Sequence, residues 1–213
     1  MLRKLFIAFM LVLPAALVMS EGLQLQFNWA FEKRAPDGAA RAINFSEKVA
    51  ISPGDLFKIS IQPVKNAFIY LFLHDASGNL QLLFPDRFMD FDSTGYLNAQ
   101  TFIPNGENWF TLDNAQGTER FYLLASSKRL SSLESVTLAY QKAVQGKGNV
   151  DAARQAVLDE ISRLRRANSQ LTTIAEKPVT IAGGIRGPNE ATAKLATQIE
   201  ALNFYTKTFR LEH

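Results

Sequence analysis

The 213-residue chain contains no cysteine. That excludes disulfides, thiolate nucleophiles, zinc ribbons and iron–sulfur ligation, each of which needs a sulfur ligand or nucleophile. Histidine is nearly missing too: only His74 and His213 could serve a Ser–His–acid triad. No Gly-x-Ser-x-Gly elbow is there to present the serine of such a triad. Neither a P-loop ending in Lys-Ser/Thr nor GxGxxG spacing occurs. The chain has no internal repeat and no low-complexity tract. Charge of one sign is not in large excess, with 23 Lys and Arg against 20 Asp and Glu, a formal net charge of +3.

What is present begins at the amino terminus. Met1-Leu2-Arg3-Lys4 precedes an apolar run from Leu5 to Met19, then Ser20-Glu21. A basic start, a short apolar run and small residues at its exit form the pattern of a secretory signal peptide. Val18 and Ser20 suit the positions three and one before cleavage, so the mature chain is expected to begin near Glu21. The competing reading is a retained membrane anchor, but the run is short for a hydrocarbon core of ~30 Å. With no cysteine after the run, a lipoprotein is excluded. Losing Arg3 and Lys4 leaves 21 basic against 20 acidic side chains, a formal charge of +1, so the pI of 9.2 overstates the basicity of the mature chain. A near-neutral mature chain gives no reason to expect nucleic acid as a partner. Roughly 190 mature residues are enough to bury a core without disulfides. The expected organisation is residues 1–20 as signal peptide and 21–213 as a single β-rich domain, periplasmic or secreted, with no integral membrane span.

Period-two patterns dominate the first half. Leu23, Leu25, Phe27, Trp29 and Phe31 alternate with Gln24, Gln26 and Asn28, predicting a strand with one buried face. A weaker strand is expected at Arg41–Phe45, and Phe57, Ile59 and Ile61 alternate in another. The stretch Ala67–Asp86 (AFIYLFLHDASGNLQLLFPD) reads as a β-hairpin: two apolar runs separated by Asp75-Ala76-Ser77-Gly78-Asn79. Phe68, Tyr70 and Phe72 should share one face of its first strand and Ile69, Leu71 and Leu73 the other. With both faces apolar, that strand belongs in the interior of the fold. Short strands follow near Thr101–Ile103, Trp109–Leu112 and Arg120–Ser126. The fold class is therefore mainly β, a β-sandwich or partly open barrel, α+β overall once a helical hairpin at about 131–168 is included. Ser131 to Glu134 fits a capping box, Asn149 can cap a second helix, and Ala153, Val157, Ile161 and Leu164 form its apolar stripe. That stripe should cover one face of the sheet. Residues 190–203 are ambiguous between helix and strand, and Phe204–Leu211 alternates as a final strand that could pair with the first.

Few residues offer chemistry. Asp90, Asp92 and Thr94, followed by Gly95, resemble the start of a calcium loop, but Thr101 occupies the twelfth position where Glu is needed. An ordinary Asx-turn explains the same residues without an ion. Gly183–Pro188 lacks phosphate-loop spacing and reads as a turn. His74, at a strand end, is expected to hydrogen-bond the adjoining turn. Asp159 and Glu160 fall on a solvated helix face, which argues against paired glycosidase acids. Arg163, Arg165 and Arg166 could form a basic patch, although nearby acids favour a solvated face. Trp29 and Trp109 are the candidate stacking residues for a ligand, with core packing the commoner role for both. No cofactor is expected.

The segments Gly78–Asp86 (GNLQLLFPD), Ile103-Pro104 and Gly117–Ser126 (GTERFYLLAS), in that order and spacing, resemble a bacterial family, the domain of unknown function forty-three eighty-four. The resemblance runs from about Asp55 to Ser126. It implies an exported envelope protein whose domain is an accessory or sensing module rather than a catalyst, and it carries no site residues. The expectation is a non-enzymatic protein-interaction module of an envelope assembly, with other envelope proteins or a second copy as partners. The alternative is a soluble periplasmic sandwich that binds sugar or peptide. A hydrolase would need a convergent polar pocket that the sequence does not predict.

Overall fold

The computed structural model describes residues 24–34, 38, 40–43, 45, 49, 52, 54–111, 117–170, 173–181 and 194–212. In chain order the strands are β1 (Gln24–Arg34), β2 (Ala40–Ala42), β3 (Leu56–Lys65), β4 (Phe68–His74), β5 (Leu80–Phe84), β6 (Thr101–Ile103), β7 (Phe110–Thr111) and β8 (Thr118–Ser126). Two helices follow, α1 (Ser131–Lys142) and α2 (Val150–Ala167), then β9 (Thr173–Ile181), β10 (Lys194–Leu202) and β11 (Phe204–Glu212).

The strands form two antiparallel sheets. The first runs β6-β3-β1-β10-β9, with β2 beside β1 and β7 beside β3; the second runs β11-β8-β4-β5. Alternation decides which side chains meet between them. Phe27, Trp29 and Phe31 of β1 and Phe57, Ile59 and Ile61 of β3 face Ile69, Leu71, Phe121, Leu123 and Phe209 of the second sheet. Ring contacts lock the layers, with Phe31 edge-on to Phe121 at 5.2 Å and Phe27 edge-on to Tyr205 at 5.4 Å. The other face of β4, Tyr70 and Phe72, joins Leu124 and Phe204 beneath Leu133, Tyr140, Val157, Ile161 and Leu164 of the helices. The architecture is thus sheet, sheet, helical hairpin. β4 lies inside its sheet, between β5 and β8, with its two faces in two different cores, as its doubly apolar sequence requires.

One open local reading is resolved and two are corrected. Residues 194–202 are strand, not helix: inner-facing Thr197, Ile199 and Ala201 pair on to Trp29, Phe27 and Leu25 of β1, and the tertiary pairing overrides a composition that suits a helix. The last strand does not pair with the first. Asn203, at φ 60°, hands the chain from the first sheet to the second, so β10 pairs with β1 while β11 pairs with β8. The capping box at Ser131 is not formed either. Leu130 occupies the N-cap position, and the Glu134 carboxylate is held elsewhere. The cap at Asn149 is present, its Oδ1 accepting from Ala152 N at 3.0 Å. Gly146, at φ +83°, ends the first arm of the hairpin in a conformation that a side chain would strain.

Candidate functional site

The segment that follows β5 builds a partly enclosed recess. Pro85 and Asp86 leave the strand, and a short 3-10 helix, Phe88–Asp92, comes next. Asp90 starts that helix by accepting from Arg87 N at 2.9 Å and from the Arg87 guanidinium at 3.0 Å. Phe88 and Phe91, three residues apart, fold back on the hairpin-side face of the second sheet, Phe91 lying edge-on to Tyr70 at 5.1 Å. Tyr96 then ties the loop to β4: its hydroxyl donates to Ala67 O at 2.9 Å and accepts from Ile69 N at 3.1 Å. Burial pushes its phenol well above the ordinary tyrosine range. Its ring stacks on Phe84 at 6.2 Å. A cavity of about 180 Å³ results, with Phe84, Pro85 and Tyr96 as apolar wall and Asp86, Asp90 and Thr101 as polar lining. Such a recess can seat one small side chain or headgroup. Ser93 and Thr101 are its aliphatic hydroxyls, with no histidine or lysine among the lining residues to activate either.

A second polar constellation sits between the sheet and the helices. Tyr70, fully buried, donates to Glu134 Oε1 at 2.6 Å and accepts from Leu130 N at 2.9 Å. Arg129 grips the same carboxylate through Nε at 3.0 Å and Nη2 at 2.6 Å, and reaches Asp92 Oδ2 at 3.1 Å. Its guanidinium also lies 5.5 Å from the Phe91 ring. Burial and then the neighbouring carboxylate hold the Tyr70 phenol far above its usual range, so it stays a hydrogen-bond donor. One network therefore joins β4, the 3-10 loop and the first turn of α1. It is a latch for the hairpin.

The residues singled out by sequence do not converge. Trp29 is enclosed in the inter-sheet core, 4.6 Å from Phe209, with the Lys207 ammonium 5.3 Å from its ring. Trp109 is half-buried, with Arg34 and Lys58 at 5.8 and 5.2 Å from its ring. Lys58 itself is buried opposite Glu32 and donates to Gly106 O at 2.6 Å, so part of the outer face of β1 and β3 is covered rather than solvated. Asp90 and Asp92 are engaged by different arginines, Arg87 and Arg129, and Thr94 is exposed. Among the described residues no group of three or more acidic or histidine side chains is placed to share a metal ion. His74 hydrogen-bonds the Gly78 backbone in the hairpin turn. Glu160 pairs with Arg163 at 2.6 Å and contacts Ser132, while Asp159 accepts from Gln155 at 2.9 Å. His213 and the Gly183–Pro188 loop lie outside the described residues.

Sequence reasoning missed Tyr96 and the Tyr70–Glu134–Arg129 network. Tyr96 stands in a polar stretch with no periodicity to mark it. Glu134 carried a signal, an acid in the first turn of a helix, but the same signal suits a cap equally well.

Residues 50–129 match the family model of a domain of unknown function (DUF4384). The matched stretch holds the hairpin, the Ile103-Pro104 segment and β8, and it ends on Arg129, the latch residue. No curated protein and no solved structure matches the chain.

Proposed function

We propose that the chain is exported through residues 1–20 and works, from near Glu21 onward, as a non-catalytic protein-interaction module of a bacterial envelope assembly. The observation that carries this reading is where large apolar side chains face solvent. Met89 (77% exposed) and Leu97 (47%) stand on the loop that forms the recess, and Leu138 and Val144 stand on the helical hairpin. Scattered apolar residues are normal on a surface, and Leu195 and Leu202 of β10 are exposed as well, but Met89, Leu97, Leu138 and Val144 gather on the two segments that decorate the second sheet. The recess beside Tyr96 offers a pocket for one anchoring side chain of a partner, the usual design of an interface hot spot. A soluble sandwich for sugar or peptide has less to draw on, because Trp29 is enclosed in the core.

The test is photo-cross-linking in native cells, with the photoreactive residue at position 89 or 97 and a control at exposed Glu107. Discrete adducts at 89 and 97, absent at 107, are expected, together with a mature amino terminus near residue 21. A strictly monomeric protein with no adduct at either position would sink the reading.

A further inference from the structure

The second sheet carries an unusual line of charge where the hairpin-side face reaches its end. The register sets Arg210 of β11 directly opposite Arg120 of β8, and Arg120 directly opposite His74 of β4. Directly opposed side chains on one face stand ~4.5–5.5 Å apart at Cβ, so three basic groups lie side by side. Tyr70 and Phe72, four and two residues before His74, pack under the helices, which places the line on that same face. Arg154 of α2 adds a fourth basic group: burial first, then the charges of Arg120 and Arg154, hold the His74 imidazole below its ordinary pKa, partly offset by Asp75 and the Gly78 hydrogen bond.

The acids nearby do not neutralise the line. Both Asp75 oxygens serve Asn79, at 2.7 and 2.9 Å. Asp151 pairs with Arg154 at 2.8 Å, which compensates that one charge and leaves the three strand groups without an acid partner. Glu212 lies two residues beyond Arg210 on β11 and is itself engaged. Arg120 is half-buried, yet beyond the backbone ladder neither its guanidinium nor that of Arg210 has a hydrogen-bond or ion-pair partner among the described residues. Like charges opposed across strands destabilise a sheet, and a half-buried guanidinium without a partner adds desolvation cost. Thr or Gln at these positions would serve the fold better. The same face continues along β11 to Thr206, which with Ser162, Arg165, Arg166 and Ser169 lines an open groove of about 470 Å³ beside α2. Arg165 and Arg166 likewise have no ion-pair partner among the described residues.

We propose that the Arg210–Arg120–His74 line, with Arg154, is a binding site for a phosphate group, its ligand extending into the groove beside α2. Planar guanidinium forks match the tetrahedral oxygens of phosphate, and a bound anion would remove the repulsion that the apo fold carries. The source of the phosphate is either a soluble ligand or a phospholipid headgroup.

The full-length mature protein is titrated with pyrophosphate at low ionic strength, with sodium chloride at matched ionic strength as control. His74 ring resonances are followed by NMR. Pyrophosphate is expected to move these resonances and raise the His74 pKa, and sodium chloride is not. Arg120→Gln should weaken the response about tenfold or more, the scale of a lost charge-assisted hydrogen bond. Without ligand the same variant should raise the His74 pKa and leave the melting temperature unchanged or higher, so a folding defect is told apart from lost binding. Arg163→Gln, at a residue paired with Glu160, should leave the pyrophosphate response intact. Vesicles containing phosphatidylglycerol form the second arm. Retention on them but not on phosphatidylcholine, lost in Arg120→Gln, assigns the headgroup; a pyrophosphate response without retention assigns a soluble ligand. The proposal is overturned if neither probe binds, or if binding persists unchanged in Arg120→Gln.

Discussion

At the scale of single residues, Tyr70 decides how the hairpin is held, because one hydroxyl satisfies both a carboxylate and a backbone amide. Removing it strands Leu130 N and takes one of three donors from Glu134. Each loss is of the kind that costs about 1–3 kcal/mol when the remaining partner stays desolvated. Tyr70→Phe keeps the ring contacts with Phe88 and Phe91, so its cost reports the hydroxyl alone. The expected destabilisation is about 1–3 kcal/mol in urea unfolding, with the slope unchanged. Glu134→Gln should cost a similar amount, and the double variant less than the sum, because both act through one network. Strict additivity would mean that the latch is not a unit. The surface pairs are different in kind: Arg154–Asp151 and Arg87–Asp90 each have one largely exposed partner and contribute about 0–1 kcal/mol each.

Elements were legible in the sequence wherever burial imposed a period, and obscure where it did not. β4 could be placed in the interior from seven letters, because Phe68, Tyr70 and Phe72 feed one core and Ile69, Leu71 and Leu73 the other. The stripe Val157, Ile161, Leu164 on α2 was equally plain, and it does cover a sheet face. β10 was not, since Ala196, Glu200 and Ala201 suit a helix locally and become strand only between β1 and β9. Of the site, the sequence offered Asp90, as part of an ordinary Asx-turn in preference to a weak cation site. Its part in starting the 3-10 helix, and Tyr96's part in closing the recess, depend on the loop folding back over β4, which no local pattern records. The hairpin's dependence on that face can be measured. Replacing residues 128–170 by a short Gly/Ser link would expose Tyr70, Phe72, Leu124 and Phe204, each buried now. At ~1.5–3 kcal/mol per large apolar side chain, that loss rivals the whole stability of a domain. Dye binding to exposed apolar surface and a melting temperature lower by about 10 °C or more, or outright aggregation, are the expected outcomes. A deletion variant that stays monomeric and melts like the parent would show that the hairpin adds nothing to the core beneath it.

For the whole molecule, the boundary of the family match and the boundary of the folding unit do not coincide. Residues 50–129 contain β3 to β8, so they hold three strands of the second sheet but only β3, β6 and β7 of the first. The long neighbour of β3 is β1, which lies before the match, and β1's other partner, β10, lies after it. β11, the strand that covers the flank of β8, also lies after it. The inter-sheet core makes the consequence plain. Leu25, Phe27, Trp29, Phe31, Ile199, Tyr205, Phe209 and Leu211 are buried in it, and every one of them falls outside residues 50–129. A fragment of 50–129 would leave the inner faces of β3 and β4 without their opposite layer, and β3 and β8 each with an unpaired edge rich in apolar side chains, the arrangement that invites aggregation. The excised segment is therefore expected to lack a cooperative unfolding transition and fixed near-ultraviolet dichroism, while residues 21–213 unfold in one step. Supplying residues 24–42 before the fragment and 173–212 after it, rejoined by the hairpin in a single chain, is the minimum that restores both sheets. A 50–129 fragment that unfolds cooperatively and shows slowly exchanging amides in β3 would refute this. The matched region would then be a domain in its own right, and the flanking strands an addition to it.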